Sequence, residues 1–124
     1  MAKHSSALVL LPLLLAGCAA HFNNLTPQQV HRNDNNLSPV EVAFRSRQES
    51  LRWNTIQPCV VVGADNFPMR PVQLMTNRWE TLVPVPAGTN LIHYKFKFDF
   101  LYNAIPARKA DSATSPTYTL RVLE

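Results

Sequence analysis

The stretch LIHYKFKFDFLYN (Leu91–Asn103) alternates between large apolar and polar side chains over most of its length. Its apolar positions are Ile92, Tyr94, Phe96, Phe98, Phe100 and Tyr102, and its polar positions include His93, Lys95, Lys97 and Asp99. Because successive side chains of a β-strand point to opposite faces, the pattern predicts one long strand with an apolar face and a charged face. We expect the apolar face to form the main wall of the core, where each fully buried side chain contributes roughly 1.5–3 kcal/mol.

Shorter segments with period-two alternation or continuous apolar character flank this stretch. Those interpreted as strands are Pro39–Ser46, Cys59–Asp65, Pro71–Thr76, Asn77–Pro86 and Thr117–Glu124, while Glu49–Ile56 fits either a short strand or a helical turn. No segment carries a convincing amphipathic helix, and the chain contains ten prolines. Many short strands with frequent turn residues predict an all-β sandwich.

Turn residues indicate how two of these strands connect. Pro86–Asn90 contains Gly88, the natural site for a positive φ, and it predicts a hairpin between Trp79–Val85 and Leu91–Asn103. Ile105–Pro116 is polar and carries proline, so we interpret it as a loop.

The N-terminal residues have the pattern of a secretory signal. Lys3 precedes an apolar run over 7–15, which is about half of the roughly 20 residues that span a bilayer. The residues LAGC, which end at Cys18, resemble the lipobox of bacterial lipoproteins. The resemblance implies a signal peptide over residues 1–17 and a lipidated Cys18; an ordinary signal peptide with a chance cysteine is the alternative.

The lipobox resemblance also implies a location in the cell envelope. Three acyl chains on Cys18 would give a stable anchor, because a single chain binds only reversibly. Residue 19 is Ala, whereas an Asp at that position commonly retains enteric lipoproteins at the inner membrane. We therefore expect an outer-membrane lipoprotein that faces the periplasm or the cell surface.

Residues 18–37 are rich in Asn, Gln and Pro and poor in aliphatic side chains. Such a composition buries too little apolar surface to offset the entropy of ordering, so we predict a flexible tether, with a segment packed onto the domain as the alternative. The folded domain is then residues 38–124. Without residues 1–17 the chain keeps eleven Lys and Arg against eight Asp and Glu, a net charge of about +3. Nucleic-acid binding would require a denser basic patch.

The residues VVVGADNFPM, RWETLVPVPAG and HYKFKFD, in this order, resemble the immunoglobulin-like early-set domains of glycogen- and starch-binding modules. The resemblance covers about Cys59–Tyr102 and implies an immunoglobulin-like sandwich that binds a glucan. It assigns ligand contacts to Trp79 and Lys95, with Phe67 and Lys97 as further candidates. Binding members carry an Asn-x-Trp loop aromatic, whereas the loop here has Phe67 and no Trp.

Catalysis and cofactors are not predicted. The four His and two Cys show neither a His-x-x-x-His nor a Cys-x-x-Cys spacing, and no Gly-x-Ser-x-Gly or phosphate-binding glycine loop occurs. We therefore expect neither a metal site nor a cofactor, and no enzymatic activity. Cys59 lies in an apolar run and is expected to be a buried free thiol, with a reactive or intermolecular thiol as the alternative.

Two functional hypotheses remain open for the predicted lipoprotein. In the first, Trp79 and Lys95 share an exposed face and bind a glucan or a related polysaccharide. In the second, the domain docks onto another envelope protein, with Trp53, Arg70 and Arg78 as candidate anchors. Trp53 has a structural alternative, which is to plug one end of the sandwich. A solvated strand face is the structural alternative for the charged face of Leu91–Asn103.

Overall fold

The computed structural model describes residues 20–47, 50–103, 105 and 107–124, and all ten of the elements in these residues are β-strands. The strands are β1 (Ala20–Asn24), β2 (Gln29–His31), β3 (Leu37–Ser46), β4 (Leu51–Val62), β5 (Asp65–Pro68), β6 (Arg70–Pro71), β7 (Arg78–Pro84), β8 (Leu91–Tyr102), β9 (Lys109–Thr114) and β10 (Tyr118–Leu123). The predicted signal peptide (residues 1–17) and Cys18 lie outside the described residues. In the described part, no helix is long and apolar enough to cross a membrane.

The strands form two sheets that pack face to face as a β-sandwich. One sheet has the order β1-β3-β7-β6, and the other has the order β2-β10-β8-β4-β5, with β9 paired to β8 beyond the end of β10. All neighbours are antiparallel except β2 and β10, which are parallel. The predicted all-β sandwich is confirmed at this level.

The inner faces of β3, β7 and β8 supply most of the core. Ile92, Tyr94, Phe96, Phe98 and Phe100 on β8 are all less than 8% exposed, which confirms the predicted core face, although Tyr102 at the strand end is only half-buried. The facing sheet contributes Val40, Val42, Phe44, Trp79 and Val83. Phe98 packs against Phe44 with 4.9 Å between ring centroids.

The segment predicted as a flexible tether differs in the structure, because residues from Ala20 onwards belong to the sandwich. β1 pairs with β3, and β2 pairs with the C-terminal strand β10. Phe22 lies 5.0 Å from the ring of Phe44 and 5.1 Å from that of Phe98. The segment is polar on average, so its composition does not reveal the effect of this single aromatic residue. The packing of Phe22 and the pairing of β1 with β3 attach the segment to the sandwich. The domain therefore begins by Ala20 and not at Ser38.

The predicted hairpin between residues 79–85 and 91–103 is wrong. β7 pairs with β3 and β6, whereas β8 belongs to the opposite sheet, so the connection passes from one sheet to the other. Val85 is 1% exposed and anchors this crossing, and its backbone N–H donates to the carbonyl of Asn36 at 2.8 Å. Gly88 has the predicted positive φ, at 88°.

Two further connections differ from their predictions. The segment Ile105–Pro116, predicted as a loop, contains β9, which pairs with β8 from Lys97↔Thr114 to Tyr102↔Lys109. Ladder hydrogen bonds to β8 stabilise this strand despite its polar sequence. The segment predicted as a strand over residues 71–76 is a strand only at Pro71 and then forms a turn, in which the N–H of Met75 donates to the carbonyl of Val72 at 3.2 Å.

Arg32 fastens one end of the sandwich. Its guanidinium donates to the carbonyls of Val85 (2.9 Å) and Thr89 (2.6 Å), to Asn36 Oδ1 (3.1 Å) and to the carboxylate of Glu124 (3.1 Å). The β2–β3 turn, the β7–β8 connection and the C-terminus therefore meet at one side chain, which is only 13% exposed. We call this the Arg32 end. The opposite end, where β1 starts, β3 and β8 end and β4 begins, is the Ala20 end.

We predict that Arg32→Ala lowers the free energy of unfolding by about 3 kcal/mol, because hydrogen bonds to a charged group typically contribute roughly 1.5–3 kcal/mol each. Glu124→Gln is the matched control, and we expect a loss below about 1 kcal/mol because that carboxylate is 64% exposed. Urea denaturation followed by circular dichroism measures both values. Equal losses for the two variants would contradict the assignment of Arg32 as the fastening residue.

Candidate binding surfaces

The structure does not bring Trp79 and Lys95 onto one surface. Trp79 lies on β7 opposite Val42, faces the core and is 7% exposed. Its indole packs edge-on against Phe98, with 5.2 Å between ring centroids. Lys95 lies on the outer face of β8, in the opposite sheet. The glucan platform that the resemblance implies for this pair is therefore absent.

The two other candidates are also separated from each other. Phe67 on β5 is opposite the fully buried Val60, and its half-buried ring packs against the core. Lys97 is exposed on the outer face of β8, between Cys59 on β4 and Thr114 on β9. The charged face of β8 is thus the outer, solvent-facing surface of its sheet, as predicted.

The exposed aromatic ring in this region is that of Trp53. It is 44% exposed and lies parallel to Trp79, with 6.4 Å between centroids and 5° between planes. Its edge contacts Phe44 at 6.1 Å. Trp53 therefore covers the core at the Ala20 end, as its structural interpretation predicted, and presents its remaining surface to solvent.

A large bulge in β4 places Trp53 and shapes a groove beside it. The pairing of β4 with β8 shifts between Arg52↔Leu101 and Gln57↔Asp99, so that several β4 residues face a single β8 residue. The Thr55 hydroxyl closes the gap, since it accepts from the backbone N–H of Leu101 (2.9 Å) and donates to the carbonyl of Arg52 (2.6 Å). At this point of β8 the Thr55 side chain takes the place of a backbone ladder acceptor for the N–H of Leu101.

The groove lies over β8 between the β4 bulge and β9, and its volume is about 830 Å³. Its exposed polar lining consists of Asn54, Gln57, Asp99, Asp111 and Ser112. Gln57, Asp99 and Ser112 are cross-strand neighbours on the outer face, so an amide, a carboxylate and a hydroxyl lie side by side there. The sequence did not predict the groove, because the groove depends on the β4 bulge and on β9. The sequence does not indicate how either of them pairs with β8.

A second, smaller cavity of about 410 Å³ lies where the chain passes from β1 to β2. Asn24 donates from Nδ2 to the hydroxyl of Tyr94 at 2.9 Å, and Tyr118 lines the same cavity. Burial, and secondarily the neighbouring Tyr94, raises the pKa of Tyr118. The Tyr118 phenol therefore stays neutral at physiological pH, and the Tyr94 hydroxyl accepts the hydrogen bond from Asn24.

Cys59 is half-buried on the outer face of β4, whereas the sequence predicted a buried core thiol. The apolar run over residues 59–62 does not distinguish the two faces of the strand, and the register turns Val60 inwards. Burial raises the pKa of the Cys59 thiol, the carboxylate of Asp99 raises it further, and Lys97 lowers it. The pKa of this thiol, and with it the reactivity of Cys59, therefore depends on the charges of Asp99 and Lys97 on this outer face.

Within residues 20–47, 50–103, 105 and 107–124, no group of three or more His, Cys, Asp or Glu side chains is placed to hold a metal ion. His93 is exposed on β8, and its Nδ1 lies 2.9 Å from the hydroxyl of Thr119 on β10.

Comparisons with known proteins add no assignment to these surfaces, because no protein-family model, curated protein or solved structure matches the chain.

The charges around Cys59 give a testable order of thiol reactivity. Asp99→Asn removes the negative charge, lowers the pKa of the thiol and is expected to speed alkylation at pH 8 severalfold; Lys97→Gln removes the opposing charge and is expected to slow it. Iodoacetamide labelling of residue 59, followed by peptide mass spectrometry, measures both rates. His93→Gln, farther along the same face, is the control and should leave the rate unchanged. Identical rates in all variants would contradict the described placement of Cys59.

Proposed function

We propose that this chain is a bacterial lipoprotein, anchored in the outer membrane through a lipidated Cys18, whose β-sandwich is a non-catalytic binding module. The anchor rests on the signal-like N-terminus and the LAGC residues. Its support from the fold is indirect: the described domain begins by Ala20, so the proposed attachment site would be adjacent in sequence to the first strand.

We further propose that the sandwich is of the immunoglobulin-like type. The support is its strand order, in which β1-β3-β7-β6 faces β2-β10-β8-β4-β5. In immunoglobulin-like domains the strands ABED face the strands CFG, and the order here agrees if β3, β4, β6, β7 and β8 are strands B, C, D, E and F, and β10 is strand G. The N-terminal segment then divides between the two sheets as β1 and β2.

The ligand class that fits this module best is a polysaccharide, bound in the groove over β8. The observation that carries the proposal is the row of exposed amide, carboxylate and hydroxyl groups that Gln57, Asp99 and Ser112 form across three strands, in a groove that Asn54 and Asp111 also line. A hydroxyl-rich chain requires many donors and acceptors at fixed positions along a concave surface. This site replaces the Trp79–Lys95 pair of the sequence prediction and keeps its ligand class.

Docking onto an envelope protein is the second candidate, and a different observation favours it. In the described part of the chain, β9 pairs on one side only, and five of its six residues are exposed. An unpaired edge strand can accept an extended segment of a partner through main-chain hydrogen bonds. This candidate uses the edge of the sheet and not the groove.

Affinity electrophoresis tests the polysaccharide proposal. We expect migration of the protein to slow in native gels that contain glycogen, starch or a cell-wall polysaccharide. Asp99→Ala and Asn54→Ala should each restore most of the free mobility, because each removes a hydrogen-bonding group from the groove. Lys95→Ala is the matched control on the same sheet, outside the groove, and should leave the retardation unchanged. Free mobility of the unmodified protein in every gel would exclude these ligands and leave the protein-docking candidate.

Cell fractionation tests the proposed anchor. We expect the unmodified protein to sediment with outer membranes, and Cys18→Ala to abolish this association, because the variant has no thiol to carry a diacylglyceryl group. Cys59→Ala is the matched control and should remain in the membrane fraction. A Cys18→Ala variant that still fractionates with membranes would refute the lipoprotein assignment.

A further inference from the structure

Exposed apolar side chains are concentrated at the Ala20 end of the sandwich. The described residues include six large apolar side chains that are strongly exposed, and four lie at this end: Trp53 (44%), Leu74 (102%), Met75 (41%) and Ile105 (97%). The other two are Leu82 on the outer face of β7 and Leu91 towards the Arg32 end. Large apolar residues gathered at one end of a small domain indicate a contact surface.

The register of the strands places these four residues together. Ser46 is opposite Ala20, and Leu51 is opposite Tyr102, so Trp53 and the β8–β9 connection with Ile105 lie at this end. The turn that carries Leu74 and Met75 joins the same end, because the N–H of Phe44 donates to the carbonyl of Asn77 at 3.0 Å.

Leu74 is held outwards by its backbone. Its φ of 65° lies in the left-handed region, which a leucine rarely adopts, and its side chain is fully exposed. Both the strained backbone and the exposed apolar side chain are unfavourable, and no packing contact within the described domain offsets them. Such an arrangement indicates that the side chain has a partner outside the domain.

The charges of the two ends differ in sign. The Ala20 end carries the exposed cations Arg45, Arg47, Arg108 and Lys109, and the exposed acids Asp111 and Asp99 lie near Lys109, farther along the β8–β9 ladder. The Arg32 end carries the exposed acids Asp34, Asp65 and Glu124, against two cations: Arg32, which pairs with Glu124, and the exposed Arg121 opposite Leu91. The end that carries the apolar patch therefore has an excess of exposed cations over acids, which complements an anionic surface.

We infer that the Ala20 end is a membrane-docking surface, on which Leu74, Met75 and Ile105 enter the headgroup region of an anionic bilayer. Trp53 lies at the lipid–water boundary, and the surrounding Arg and Lys residues contact the lipid phosphates. Tryptophan is enriched at such boundaries, and basic residues near an anionic leaflet add attraction. The sandwich would then stand upright, with the Arg32 end farthest from the bilayer.

The inference rests on the proposed anchor, which supplies the geometric constraint. Between Cys18 and Ala20 the chain can extend by at most about 7 Å. The headgroup region on each side of the hydrocarbon core is of similar depth, roughly 5–8 Å. A lipidated Cys18 therefore holds the first residues of β1 at the bilayer surface, and with them the apolar end of the domain.

Depth-dependent fluorescence quenching tests this surface in the full-length, lipidated protein. The chain has two tryptophans, so Trp79→Phe leaves Trp53 as the only indole. In vesicles of phosphatidylglycerol and phosphatidylethanolamine, lipids brominated high on the acyl chain should reduce its emission at least twofold. The matched control is Trp53→Phe with Trp79→Phe and Leu91→Trp, which moves the reporter towards the Arg32 end, and its emission should not change. Circular dichroism confirms that both proteins are folded.

A second pair of variants keeps the inference falsifiable if Trp79→Phe fails to fold. Leu74→Asn with Ile105→Asn, in the otherwise unmodified protein, should remove most of the bromolipid quenching, because Trp79 is buried and Trp53 supplies the accessible emission. Leu82→Asn with Leu91→Asn should not.

The outcomes separate the docking surface from the anchor. A lipidated protein that stays with the vesicles but shows no quenching of Trp53 would overturn the docking surface and leave the anchor intact. The same result is expected if a second copy or another protein covers this end. A protein whose residue 18 carries no lipid by mass spectrometry would overturn both proposals.

Discussion

The packing around the ring of Phe98 holds the two sheets of this sandwich together. From the centre of β8 it contacts one aromatic residue on each of three strands of the facing sheet, with centroid distances of 5.1 Å to Phe22, 4.9 Å to Phe44 and 5.2 Å to Trp79. Removing a buried aromatic side chain typically costs about 3–5 kcal/mol. In a small domain this is a large share of the total stability, so the positions of β1, β3 and β7 all depend on this contact.

The sequence predicts those elements whose pattern is local. Ile92–Phe100 alternates because one face of β8 is buried, and that face is the core wall in the structure. The N-terminal strands were not predictable, because Phe22 is the only aromatic residue in a polar segment and its partners are distant in sequence. The predicted hairpin was wrong because turn residues between two strands do not distinguish a hairpin from a connection that passes to the other sheet.

The candidate sites show the same division. The outer charged face of β8, including Lys97 and Asp99, follows directly from alternation and is where the sequence predicted it. The groove beside that face depends on its neighbouring strands, namely on the β4 bulge closed by Thr55 and on the polar strand β9. Trp79 alternates on β7 as predicted, but the topology decides whether that face of β7 is buried or exposed. In the structure Trp79 is buried, and the exposed tryptophan is Trp53, which stacks on it.

The parallel pair of β2 and β10 has a consequence for the order of folding. β2 is the second described strand and β10 is the last, so the chain must close a loop of nearly the whole domain before they meet. Contacts at such sequence separation form late, because loop entropy is lost before the contact stabilises the chain. In the described sheets β2 pairs with β10 alone, so it has no strand partner until β10 joins the sheet. The side of β8 that pairs with β10, from Leu91 to Tyr94, also lacks its neighbour until then, so one six-residue strand completes the pairing of two elements at once.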